Sequence, residues 1–259
     1  MAAVWWMLLW SGVLFFPVAV WNWEGVSQAA WRVIGISAIF EAGYFYAIAK
    51  AYSDEMLSIV YPLARGTAPV FLLIWATVGL REPVSAGGVM GVFTIALGLY
   101  FINLPRLNDW REPLRALTRP GPKWALLAGM CISLYTITDR IGIGLLEPFL
   151  YTYFALWITW LLLTPLTLWE VGWKTVMAEF RLSKWGLVLA GFTTTAAYVI
   201  VLYVILNGTP ATYAGAVREV SVVFGVLIGM FYLKEEGTVM RLVGAGCVAG
   251  GVALIKFLG

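Results

Sequence analysis

The sequence predicts an all-helical transmembrane fold, and three observations carry that prediction. Of 259 residues, 61% are hydrophobic and only 12% are charged, about half the charge with which a soluble domain covers its surface. The apolar residues form long unbroken runs, as in VFLLIWATVGL, and not the alternating pattern of a membrane barrel strand. The runs reach the ~20 residues needed to cross a bilayer, and short polar breaks divide them. The same composition excludes a disordered chain, a coiled coil and a secreted disulfide scaffold.

Taken in order, the runs predict nine spans at 2–21, 30–49, 56–80, 84–104, 124–146, 148–169, 184–206, 210–233 and 238–257. The first lacks a basic leader and a small-residue cleavage site, so it reads as a retained span and not as a signal peptide. WNWEG, KAYSDE, REP, NGTP and LKEEG supply the breaks. Pro83 and Pro210 suit first helical turns, where a missing N–H costs nothing. Residues 105–123 differ, holding Arg106, Arg111, Arg115, Arg119 and Lys123. They read as a linker between two halves, 1–104 and 124–259, in which four prolines limit any surface helix. Residues 170–183 form the other soluble-looking loop.

Histidine is absent, which removes Ser-His-Asp triads, imidazole bases and His-ligated metals. Cys131 and Cys247 lie in apolar runs and read as packing residues, because two cysteines do not close a zinc site. No metal or cofactor is expected. A net charge of +3 gives no reason to expect a nucleic-acid partner.

Sliding the sequence by 153 positions superimposes its halves without a gap. Arg65 falls on Arg218, Val70 on Val223, Phe71 on Phe224, and Leu80-Arg81-Glu82 on Leu233-Lys234-Glu235. Gly91, Ala96, Gly98 and Ile102 fall on Gly244, Ala249, Gly251 and Ile255. The fifth span has no counterpart in the first half, so the halves hold four and five spans. An odd repeat unit places successive copies in opposite orientations. The pattern is a five-span inverted repeat without its first span.

LSIVYPLARGTAPVF with LREPVSAGGVMGVFTIALGLYFI resembles the end of one repeat of the drug/metabolite transporter superfamily, EamA type. AGAVREVSVVFGVLIGMFYLKEEGTVMRLVGAGCVAGGVALI resembles the end of the other, and YTITDRIGI the opening of the second repeat. The resemblance implies a ten-helix transporter fold whose repeats line a central cavity. It leaves the substrate open. The chain is expected to lack the first of ten spans, either through an upstream start, which is favoured, or as a trimmed variant.

Ionisable residues inside spans cost about 2.5–3.5 kcal/mol each, so they need partners or water. Arg65 lies roughly 15 Å past its turn and Arg218 roughly 12 Å past Pro210, at the ~1.5 Å rise per residue of a helix. Glu41 lies similarly deep, and Glu219 adjoins Arg218. Two readings stay open. Arg65 pairs with Glu41, and Arg218 with Glu219 or Asp139, to fix packing; or the arginines face a polar cavity and meet an anionic substrate group. Glu41 and Asp139 are candidates for proton coupling, because a low-dielectric site disfavours the charged carboxylate and lets it exchange protons near neutral pH. For Asp139, a surface ion pair with Arg140 is the competing expectation. Glu82, Glu235 and Glu236 read as turn and cap residues.

Tyr44, Tyr61, Tyr135 and Tyr198 lie inside spans and are candidates to line the pathway, since each hydroxyl needs a partner. Trp5, Trp6, Trp10, Trp21, Trp23, Trp169 and Trp173 fall near span ends, where interfacial belts form. Gly87 with Gly91, and Gly246 with Gly250, have the four-residue spacing of close helix contacts, expected within one monomeric chain.

Excluding Arg65 and Arg218, eleven Lys and Arg fall on the N-terminal side and four on the other. The positive-inside rule then puts the N-terminus and linker in the cytoplasm. The resemblance implies the opposite placement of the linker, and the charge count is preferred. The leading functional expectation is a multi-pass secondary transporter of the cell (inner) membrane, exporting a small metabolite or drug-like solute by alternating access. No phosphate-binding loop is present, so a proton or solute gradient would drive it. A non-transporting membrane subunit or relic, and an intramembrane lipid-modifying enzyme, are the alternatives.

Overall fold

Each apolar run is mostly helical over its described residues, because a backbone lacking water as a partner closes its hydrogen bonds internally. The computed structural model describes residues 1–54, 57–102, 104, 111, 120–231 and 239–259; at 54, 57–59, 61, 62, 225 and 229–231 only the backbone is described. In chain order the elements are α1 (Ala2–Trp21), α2 (Gln28–Asp54), α3 (Leu57–Ile74), a π-helical turn (Trp75–Gly79) and α4 (Ala86–Ile102). Then follow α5 (Pro120–Gly142), α6 (Pro148–Glu170), α7 (Trp173–Leu206), α8 (Ala211–Arg218), α9 (Val220–Phe231) and α10 (Val239–Leu258). No strand occurs among the described residues. Among the described residues six segments are long and apolar enough to cross a membrane: α1, Gln28–Ser53, α6, α7, Ala211–Ile228 and α10.

Several boundaries differ from the expectations. Helix α5 begins at Pro120 and takes in the last four residues of the expected linker, the ring of Pro120 being tolerated in a first turn. Most of that linker, and the turn holding Lys234, Glu235 and Glu236, lie outside the described residues. Pro83 precedes α4 instead of opening it: Ser85 caps that helix, its Oγ accepting from the N–H of Gly88 at 2.9 Å. Pro210 is likewise the N-cap residue of α8. The expected loop at 170–183 is largely helical. Trp173 opens α7, and a non-helical Ser183 (φ −142°, ψ 40°) separates its first ten residues from the apolar remainder.

The chain forms two compact units, each drawing on both halves of the sequence: Met1–Tyr46 with Tyr135–Gly208, and Ala47–Leu134 with Thr209–Gly259. In the first, α1 packs against α6 and α7. Trp5 and Trp6 are buried there with Val176 and Leu187, so these two are core residues and not the interfacial belt expected of them. Trp21, Trp23, Trp169 and Trp173 are exposed.

In the second unit α4 runs along α10, and α3 packs on α4 and α8. The α4–α10 seam is made by Gly91, Gly98, Gly244 and Gly251. A Cβ on Gly98 would stand 2.6 Å from the Gly244 carbonyl oxygen, and one on Gly251 would stand 2.7 Å from that of Gly91. The contact pairs 91–251 and 98–244 run in opposite senses, so the helices are antiparallel. Gly87 also packs tightly, against Leu258, but Gly246 and Gly250 have nothing within 4 Å of a built Cβ. Their four-residue spacing lies on the wrong face of α10.

Candidate functional site

The expected site residues fall into two groups, one in each unit. In the first unit, Asp139 is fully buried near the end of α5. A bare carboxylate there would carry a large desolvation cost, and three hydroxyls meet it. Ser37 of α2 and Tyr151 of α6 donate to Oδ1 at 2.5 and 2.8 Å. Tyr198 of α7 donates to Oδ2 at 2.5 Å. Such O–H···O⁻ bonds are short and strong. The expected surface position for Asp139 beside Arg140 is therefore corrected: the helix turns Asp139 inward, toward three other helices.

Glu41 stands one turn beyond Ser37 on the same face of α2. It too is buried, and its Oε2 accepts from Thr159 of α6 at 2.9 Å. Tyr135 precedes Asp139 by one turn of α5. Its ring lies between Tyr44 and Tyr198, with centroids 6.3 and 6.2 Å away. Glu41, Tyr44, Tyr135, Asp139 and Tyr198 thus form one polar and aromatic cluster inside an apolar unit. Ser37, Tyr151 and Thr159 complete it, and the sequence reading missed all three. Their signal was available as polar residues at helical spacing inside apolar runs: Ser37 with Glu41, and Tyr151 eight residues before Thr159. Tyr61 lies outside the described side chains.

In the second unit Arg65 of α3 donates from Nη1 to Glu219 Oε1 at 3.0 Å. The carboxylate given to Arg65 is thus Glu219, which the sequence reading had offered to Arg218. Glu219 occupies the break between α8 and α9 (φ −70°, ψ −7°). It is 2% exposed, against 31% for Arg65. Its Oε2 accepts no hydrogen bond among the described residues. Arg218 is the last residue of α8 and is half-buried.

Glu82 is a cap, but of a distant helix. Its Oε1 accepts from the N–H of Ala211 at 2.9 Å, and its Oε2 from the Thr212 hydroxyl at 3.2 Å. A carboxylate at a helix N-terminus satisfies free donors and complements the dipole. The left-handed backbone of Arg81 (φ 52°) immediately precedes it.

Long apolar helices with charged groups buried among them define a multi-pass membrane protein. The EamA-like transporter family matches residues 119–257, more than half of the chain, and the chain belongs to that family. A solved protein structure superposes with a TM-score of 0.74 over 99% of this chain and 87% of that one. At 16% identity it shows a shared fold alone. Comparison with the curated proteins finds no match.

Proposed function

We propose that this protein is a secondary transporter that moves a small metabolite or drug-like solute outward across the cell membrane by alternating access. The observation that carries the reading is the Asp139 cluster: two buried carboxylates, four helices and a row of tyrosines within a family of membrane transporters. Buried ionisable groups in apolar helices are costly, and they characteristically mark solute or proton pathways. In this reading Glu41, Tyr44, Tyr135, Asp139 and Tyr198 line the pathway, and Glu41 and Asp139 exchange protons with it. Arg65, Arg218 and Glu219 form a second polar station, and Tyr61 is assigned to the pathway from its position in the sequence.

The reading includes nine spans arranged as two inverted repeats. The α4–α10 seam supports it. The offset of 153 carries Gly91 to Gly244 and Gly98 to Gly251, while in space Gly91 meets Gly251 and Gly98 meets Gly244. Ile102 against Gly244 likewise mirrors Ile255 against Gly91. A contact from i to the copy of j, matched by one from j to the copy of i, is the signature of a two-fold axis. An axis across antiparallel helices lies in the membrane plane, as inverted repeats require.

The test is flux. Proteoliposomes loaded with a defined mixture of amino acids, organic acids and organic cations are given a proton gradient, and the external medium is read by mass spectrometry. Release of one solute class that depends on the gradient, and is lost in Asp139→Asn, supports the reading. No release above empty vesicles, or release untouched by that substitution, defeats the assignment.

A further inference from the structure

We propose that the first ten residues of α7, with their flanks, form a binding surface for anionic phospholipid headgroups. The segment Trp173–Leu182 ends at the non-helical Ser183. One of its faces is fixed inward. Val176 is fully buried and accepts from Trp6 Nε1 at 2.7 Å through its carbonyl. Phe180 stacks on Trp6 at a centroid distance of 4.4 Å.

The opposite face is basic. Lys174 and Arg181 are seven residues apart, nearly two full turns, so they project together. Lys184 follows the kink, its Nζ 5.8 Å from the ring of Trp185. All three cations are exposed. Glu179, the acid of this segment, lies five residues from Lys174 and therefore ~140° around the helix from it. Glu170, on the preceding helix, accepts from the hydroxyl of Tyr46 at 3.1 Å.

Large apolar groups flank the cations: Trp169, Trp173, Leu182 and Trp185 are 81, 55, 83 and 75% exposed. Indoles settle at the headgroup level of a bilayer, and a helix with one anchored face and a basic aromatic rim suits the interfacial plane. The aromatic groups alone would accept any lipid. The three cations, with Glu179 turned away from the face of Lys174 and Arg181, select a headgroup with net negative charge. The inference rests on membrane residence and is independent of what solute the protein moves.

The full chain in neutral detergent is titrated with phosphatidylglycerol or phosphatidylcholine, and bound lipid is read by native mass spectrometry. Wild type is expected to bind phosphatidylglycerol more tightly. The combined K174Q, R181Q and K184Q substitutions are expected to weaken that binding by about a hundredfold, at roughly fivefold per basic residue, and to leave phosphatidylcholine binding unchanged. If the triple variant does not fold, each single variant is read for its roughly fivefold share. Equal affinity of wild type for the two lipids, or unchanged phosphatidylglycerol affinity in the variants, overturns the proposal. So does full competition by inorganic phosphate, which would make the surface a site for free anions.

Discussion

Arg65 and Glu219 are separated by 154 positions in sequence and meet at 3.0 Å, the carboxylate almost wholly buried and the guanidinium about a third exposed. Because Arg65 retains access to solvent, losing Glu219 costs less than the ~3–5 kcal/mol of breaking a fully buried pair. Glu219→Gln is expected to destabilise by about 1–3 kcal/mol, read as a lower thermal midpoint in detergent. Arg65→Ala leaves a buried carboxylate without its cation and is expected to destabilise more. It should still insert, yet lose solute flux. Full flux in that variant removes Arg65 from the pathway.

Around Asp139, Tyr198→Phe and Tyr151→Phe each delete one donor to a buried carboxylate. Each is expected to cost about 1.5–3 kcal/mol, the range for hydrogen bonds to charged groups. Asp139→Asn keeps the volume and removes the titrating group. Flux that responds to a pH gradient in wild type and not in Asp139→Asn identifies Asp139 as a proton carrier; an equal response in both would assign it a packing role.

The glycines of α10 make a matched experiment. Gly244→Ala drives a methyl to within 2.5 Å of the Gly98 carbonyl oxygen and is expected to destabilise by about 1–3 kcal/mol, as overpacking does. Gly246→Ala meets nothing within 4 Å and should stabilise by about 0.4–1 kcal/mol through a less flexible unfolded chain. Equal thermal midpoints for the two variants would contradict the seam.

Glu82→Ala uncaps α8 from a distance. Its expected cost is about 0.5–2 kcal/mol. Hydrogen exchange localises the effect: the amides of Ala211 and Thr212 should lose protection first. Uniform change across the second unit would instead indicate a general packing defect.

Helix positions were legible because apolar run length and its breaks report directly on a helix in lipid. The EamA resemblance was legible for the same reason, its motifs lying at charged breaks and small-residue helices. Pairings were harder to see. Nothing local in Arg65 distinguishes Glu219 from Glu41, since the choice depends on which faces of α3 and α8 meet. Asp139 looked peripheral because its neighbour Arg140 and its late position in α5 suggest a surface, and only the hydroxyls of three other helices reveal otherwise. The glycine error is more instructive. Four-residue spacing pointed to Gly246 and Gly250, whereas the repeat offset had already matched Gly91 and Gly98 to Gly244 and Gly251, the pair that closes the seam. Comparison between the halves carried information about contact that a motif within one helix did not. The segment 170–183 was misjudged because its charges outweigh a hydrophobic stripe of only Val176, Met177 and Phe180.

At Gly91, Gly98, Gly244 and Gly251 the α4–α10 seam is built from residues with no side chain beyond hydrogen. Docking these helices therefore freezes no rotamer at those positions, whereas each long side chain elsewhere surrenders up to about 2 kcal/mol of conformational freedom on burial. It also lets the two backbones approach closely, with only the branched, rotamer-poor side chains of Ile95, Ile102, Val248 and Ile255 packed beside the glycines. Such a joint behaves as a rigid spacer, able to keep its geometry while longer side chains elsewhere in the second unit exchange rotamers around it.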